Sequence, residues 1–340
     1  MTLAQRKRVS WIDIAKGIGI LLVILGHYKP TPRWMTVVLY SFHMPLFFIL
    51  SGIMFNPEKY PRFIDFLKQR LKTMLVPYFI LSFIAVLITD VFFYTDGLIR
   101  ASFGQHILSI ILGYRLHKYY YSMWFITALF LAELLTYIIL KRIKKTNQQL
   151  WIVIALNIVG FLLPRVIKGF FWSLDLVPMV TSFVLFGFIT KDCYIKMNNL
   201  RIKQKILGIV ASSFITVGLA YLNYIEIGKN VDMYAGRYGN YFYYLIPSIA
   251  GSCMVIIFSQ LLNKERLLEY FGRNSLIIYA FQNNIFIPYA SMIIKMTGTR
   301  GALRHGLVLL LVLLMAVVMV EFINRCIPFA IGRSKRIKEA

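Results

Sequence analysis

Negative charge is scarce in this sequence. Its 340 residues carry 14 Asp and Glu against 38 Lys and Arg, and charged residues of both signs make up 15%. A soluble domain holds about a quarter charged residues, so the fraction excludes an ordinary globular enzyme. Cysteine is sparse too. Cys193, Cys253 and Cys326 stand far apart, which excludes a disulfide framework and a thiolate metal site; no metal is expected. Linkers, repeats and low-complexity stretches are absent, so there is no boundary at which to divide the chain. The expectation is a single membrane-embedded domain over 1–340, with no separate soluble domain. No serine sits in a nucleophile-elbow pattern, although Ser51 lies beside Gly52.

What is present is apolar. Hydrophobic residues make up 59% and mean hydropathy is +0.67. Runs able to cross or nearly cross a bilayer fall at 12–28, 35–55, 74–94, 122–140, 150–164, 170–190, 206–224, 241–262, 275–295 and 305–325. The expected fold class is therefore all-α: a polytopic integral membrane protein of about ten transmembrane helices. The fifth run is the shortest and stops at Pro164. The basic start "MTLAQRKR" ahead of an apolar run resembles a signal peptide, but no small-residue cleavage site follows Gly26-His27. The first run is thus expected to remain as a span.

The formal charge of +24 fits short loops that meet lipid headgroups better than a nucleic-acid surface. No run mixes aromatic and basic residues on a polar surface as a nucleic-acid platform does. Lys and Arg are about twice as frequent in the segments on one side, which predicts both termini in the cytoplasm and an even number of spans. The longest outer loops are 95–121 and 225–240; "YRLHKYYYS" in the first suits the bilayer interface, as do the tyrosines of 234–244, whose faces would also suit sugar stacking.

The first span, "DIAKGIGILLVILGHY", carries Asp13, Lys16 and His27. At 100° per residue, Lys16 and His27 lie about 20° apart on one face and about 16 Å apart along the axis. Asp13 is one turn below Lys16. Such a polar stripe belongs against a bundle interior or a water-filled cavity. Asp13 and Lys16 could instead form an i,i+3 pair at the interface. His43 opens the second span in "SFHMPLFFILSG", and a short hairpin brings it to the level of His27. A histidine can take a proton from a hydroxyl, and a lysine can hold an anion. An ion pathway would use the same parts. Elsewhere Glu133 stands in mid-span and is a cavity candidate. Glu321 and Arg325, four residues apart, read as a structural pair.

Seven segments, "WIDIAKGIGILLVILGH", "FHMPLFFILSG", "QRLKTMLVPYF", "MWFITALFLAEL", "FFWSLDLVPMVTSFVLFGF", "DMYAGRYGNYFYYLIPSIAG" and "FGRNSLIIYAFQ", occur in the order seen in the membrane-bound acyltransferase-3 family. The chain resembles its fucose 4-O-acetylase-like branch from about residue 10 to residue 325. The resemblance implies transfer of an acyl group, commonly acetyl, from cytoplasmic acyl-CoA to a hydroxyl of a cell-envelope glycan or lipid-linked saccharide. Acyl-CoA, acetyl-CoA in the simplest case, would be a donor substrate, and no bound cofactor is implied. The family's basic residue, ten residues and histidine fall on Lys16 and His27, and a further motif histidine falls on His43. Many members carry arginine where Lys16 stands, which keeps the charge but has a planar fork that lysine lacks.

The expected catalytic residues are then His27 and His43, with Lys16, Arg70 and Lys72 on the CoA phosphates. Asp13, Glu133, Asp175 and Gln282 are expected to line the cavity or hold the acceptor. Gln282 stands where the family often has histidine, and glutamine cannot act as a base. The expected partners are acyl-CoA, the saccharide acceptor, the cell membrane bilayer and other envelope-synthesis proteins, without nucleic acid. A carrier that moves a glycan or lipid without chemistry would need a similar cavity and stays open at this point.

Overall fold

The computed structural model describes residues 9–93, 103–113, 123–167, 169–262 and 264–332. Arg6 to Arg8, the segment "YRLHKYYYS" and the chain after 332 lie outside them, so the readings placed there have no structural counterpart. The described chain is helical. It begins with α1 (Ser10–His27), α2 (Arg33–Met54), α3 (Phe63–Arg70), α4 (Val76–Phe93) and α5 (Phe103–Leu112). It continues through α6 (Trp124–Arg142), α7 (Thr146–Val166), α8 (Val177–Met197), α9 (Ile202–Ile227) and α10 (Tyr241–Leu262). The last elements are α11 (Arg266–Arg273), α12 (Ser275–Phe281), α13 (Ile287–Met296) and α14 (Gly301–Cys326).

Among the described residues, ten helical segments are long and apolar enough to cross a bilayer: 10–27, 33–54, 63–89, 124–142, 146–166, 171–197, 202–227, 241–262, 275–296 and 301–326. They overlie the ten apolar runs. The largest shifts are the start of the third segment, at 63 in place of 74, and the end of the sixth, at 197 in place of 190. The fifth helix passes Pro164 and ends at Val166, because a proline in the last turn costs one backbone bond without stopping the chain. The third and ninth segments are composite. In each a π-turn, Leu71–Leu75 or Gln282–Phe286, joins two α-helices. Pro77 and Pro288 stand two residues beyond those turns. A proline cannot donate to the carbonyl four residues back, and widening the turn by one residue accommodates it.

Proline also leaves its mark on α2. Pro45 deprives the Ser41 carbonyl of its helical partner, and Ser248 Oγ on α10 donates to it at 2.8 Å. The missing bond therefore becomes an interhelical tie. Glycines set two close approaches. A Cβ on Gly52 of α2 would stand 2.0 Å from the Val184 carbonyl oxygen of α8, and one on Gly17 of α1 would stand 2.1 Å from the Leu268 carbonyl oxygen of α11. Small residues let helix backbones meet where lipid gives no hydrophobic drive between helices.

α1, α2, α6, α8 and α12 form the packed interior, whereas α7, α9 and α14 are mostly exposed and present apolar surface outward. Exposed Phe214, Leu207, Val318 and Leu314 belong to that outer surface, as expected of helices facing hydrocarbon. Tyr238 and Tyr244 correct the interfacial reading of 234–244. Both are buried, Tyr238 stacked near Phe161 and Tyr244 edge-on to Phe183. Their rings pack the bundle instead of girdling it.

Candidate functional site

Two polar centres lie at the two ends of α1, with an apolar slot between them. The first surrounds the N-terminal end. Asp13 is buried, and Arg273 Nε pairs with its Oδ2 at 3.2 Å. The same guanidinium reaches Glu269 Oε2 at 2.5 Å, and Ser10 donates to the other Glu269 oxygen. α11 delivers both side chains because Gly272 packs directly on the Asp13 backbone. On the neighbouring turn Tyr270 donates to Glu321 Oε1 at 2.9 Å. Burial first, then that bond and the Glu321 charge, push the Tyr270 hydroxyl up to about 12, so it stays a donor at neutral pH. Arg325 completes the pair with Glu321 at 3.1 Å.

Beside this cluster opens a cavity of about 540 Å³ whose wall includes Trp11, Asp13, Lys16, Phe55, Asn56 and Lys191. Lys16 Nζ lies 3.5 Å from Met54 Sδ. Because Arg273 offsets Asp13, the two lysines leave this wall positive, which suits an anion. Nothing in the local spacing of Lys191 distinguishes it in the sequence from the other cations.

The middle of α1 faces a smaller cavity of about 180 Å³. It is lined by Ile20, Met44, Phe47, Met74, Phe125 and Tyr279, with Thr73, Ile126, Ser275 and Leu276. Ile20 follows Lys16 by four residues, so both share the face that ends at His27. The slot is almost wholly apolar and is long in sequence terms. Ser275 opens the ninth segment, Thr73 lies ten residues into the third, and Phe125 is the second residue of α6.

The second polar centre is at the C-terminal end of α1. His27 Nδ1 lies 2.8 Å from the Val23 carbonyl oxygen, and His43 Nδ1 lies 2.6 Å from the Leu39 carbonyl oxygen. A carbonyl only accepts, so each Nδ1 carries a proton, and in the neutral ring Nε2 then keeps its lone pair. Tyr40 stands between the rings, 6.1 Å from His27 and 5.0 Å from His43 by ring centroids. It is three residues before His43 and so on the same helix face, a spacing that could have singled it out in the sequence. His27 is partly exposed and His43 is 3% exposed; only the first is open to a substrate. Over this end folds the turn around Asp232, tied to α2 by Asn230 Nδ2 and Thr36 Oγ1 at 3.2 Å. The Asp232 carboxylate, paired with Arg237 at 3.4 Å, bears electrostatically on His27 and Tyr40.

The remaining expected residues are dispersed. Arg70 Nε pairs with Glu133 Oε2 at 2.7 Å, and Ser51 Oγ donates to Glu133 Oε1 at 2.5 Å. The guanidinium lies over Phe55 and Phe66, 5.9 and 5.0 Å from their centroids. Arg70 is therefore behind the wall that Phe55 presents to the Lys16 cavity, and Glu133 is an ion-pair partner. Lys72 is exposed on its π-turn and lines neither cavity. Asp175 is buried just after Trp172 and Ser173, whose φ values of 50° and 59° mark a strained turn, and Trp172 Nε1 donates to the Ile111 carbonyl oxygen at 2.9 Å. Gln282 is buried on the π-turn that follows α12. Among the described residues no three His, Cys, Asp or Glu side chains converge as a metal set would.

A family model, described as an acyltransferase domain and defining acyltransferase family 3, matches residues 9–323. No curated protein and no solved structure matches the chain.

Proposed function

The chain belongs to acyltransferase family 3 and is a multi-pass membrane acyltransferase; on that premise we propose that it moves an acetyl group from cytoplasmic acyl-CoA to a hydroxyl of an envelope glycan or lipid-linked saccharide beyond the cell membrane. One observation carries this reading: Lys16, Ile20 of the apolar slot and His27 follow one another along a single face of α1. The slot lies between the lysine-bearing wall and His27 along that face. That order matches acyl-CoA, whose phosphates are anionic and whose slender arm ends in a thioester.

Lys16 and Lys191 hold the phosphates at the cytoplasmic end. Arg70 and Lys72 add attraction at longer range, Arg70 weakened by its partner Glu133. The arm runs along Ile20, Met44 and Tyr279. At the far end His27 Nε2 accepts the proton of the acceptor hydroxyl as its oxygen bonds to the thioester carbon, and the carbonyl π pair moves onto oxygen. When that pair returns, the C–S bond breaks, and the CoA sulfur leaves with the proton that His27 held. The products are an ester and a free thiol, and His27 ends as it began. Tyr40 and His43 fix the ring's surroundings.

The test is free-thiol release from acetyl-CoA by the purified protein in lipid, with an envelope-glycan extract as acceptor. Acceptor-dependent release that vanishes in His27→Ala supports the reading. Release that persists at full rate in that variant removes His27 as the base. Transport of a glycan across the same membrane without thiol release would make the protein a carrier.

A further inference from the structure

Gln282 has no expected role as a base, yet its burial demands an explanation. It opens the π-turn Gln282–Phe286 midway along the ninth span, and its exposure is 0%. Neither Oε1 nor Nε2 has a hydrogen-bond partner among the described residues. A primary amide offers two donors and an acceptor, and nearly all such buried groups are satisfied. Leaving both ends unbonded is disfavoured unless something else binds there. Pro288 accounts for the π-turn itself, which sets where along the span the amide sits. The other π-turn, Leu71–Leu75, contributes Thr73 and Met74 to the slot.

Position narrows the choice. Leu276 and Tyr279 line the slot, and Gln282 follows Tyr279 by the same three-residue step. It therefore extends the slot face by about 4.5 Å toward the far end. The π-turn packs against α1, on which His27 lies about 10 Å beyond Ile20. The amide thus stands past the slot and short of His27. A donor threaded from Lys16 would place its thioester carbonyl at this level.

We propose that the Gln282 side-chain N–H groups stabilise the oxyanion formed as the acceptor hydroxyl attacks the thioester. This rests on the acyl-transfer reading above. The electron pair pushed onto the carbonyl oxygen is met by Nε2–H, and the bond strengthens as charge develops. An uncharged donor suits this place, because it needs no counter-ion while the site is empty of charge.

The test compares Gln282→Met, which keeps the unbranched shape without polar atoms, and Gln282→His, which keeps an N–H donor. Gln282→Met should lower kcat about 10²- to 10³-fold and leave the KM for acetyl-CoA within about 3-fold. Its unfolding midpoint should hold or rise, because an unbonded amide has been removed from the interior. Gln282→His should recover at least about a tenth of the lost rate. Unchanged kcat in Gln282→Met would overturn the proposal, as would a raised KM with kcat retained, which would assign the amide to the pantetheine arm. A variant that loses stability or fails to fold would also overturn it, since the amide would then have a structural partner. Wild-type protein that releases no thiol would sink the acyl-transfer reading itself, a result distinct from loss or retention in the variants.

Discussion

The two ends of α1 solve opposite problems within one helix. At its N-terminal end the polar groups are charged and cross-linked: Asp13 to Arg273, Arg273 to Glu269, and Tyr270 to Glu321. At its C-terminal end they are imidazoles and a phenol, held by backbone carbonyls and ring packing. On the proposed reading the first end gains from charge because the open cavity of about 540 Å³ would receive the anionic end of the donor. On the same reading the second must keep a lone pair available within an apolar bundle, and a charged base there would need its own partner. Binding and chemistry therefore call for different polar groups, and the apolar slot keeps them apart.

The comparison predicts separable losses. His27→Ala should lower acceptor-dependent turnover about 10³-fold with the KM for acetyl-CoA little changed, read in steady-state thiol release. An equal fall in affinity would merge the two ends into one site. Next in size is a stability effect between them. Arg70→Leu leaves the Glu133 carboxylate buried without its cation and should cost about 3 kcal/mol in thermal or denaturant unfolding in detergent. The double variant Arg70→Leu, Glu133→Leu should recover most of that, and a failure to recover would mean that the pair also positions Ser51.

Lys16→Ala should raise the KM for acetyl-CoA about 10-fold with kcat within about 2-fold, and Lys16→Arg should retain wild-type KM. Raising salt should narrow the difference, because exposed charge is screened. The smallest effect belongs to the rim. Arg325→Ala removes an exposed i,i+4 pair and should change stability by no more than about 0.5 kcal/mol, with thiol release unaltered. A larger change would show that the Glu321–Tyr270 contact depends on Arg325.

Much of the fold was legible because each span is an apolar run closed by Lys, Arg, Pro or Gly, and a bilayer requires such runs to be helical. The stripe of Asp13, Lys16 and His27 was legible because helical periodicity is local. What could not be read is what pairs across the chain. Arg273 reaches Asp13 from 260 residues away, and Ser51 reaches Glu133 from 82; no periodicity links them. Arg70 was expected at the phosphates and is found paired with Glu133, because a buried carboxylate attracts the nearest cation. The π-turns escaped as well. Pro77 and Pro288 mark them in sequence, but a proline can equally bend or end a helix.

The central claim is that donor and acceptor meet along α1 from opposite faces. Proteoliposomes sealed around radiolabelled acetyl-CoA, with a membrane-impermeant saccharide fraction added outside, test it most directly. The account predicts label on the outer saccharide and free thiol retained inside, both lost in His27→Ala. Label that appears only when donor and acceptor share one compartment would contradict it.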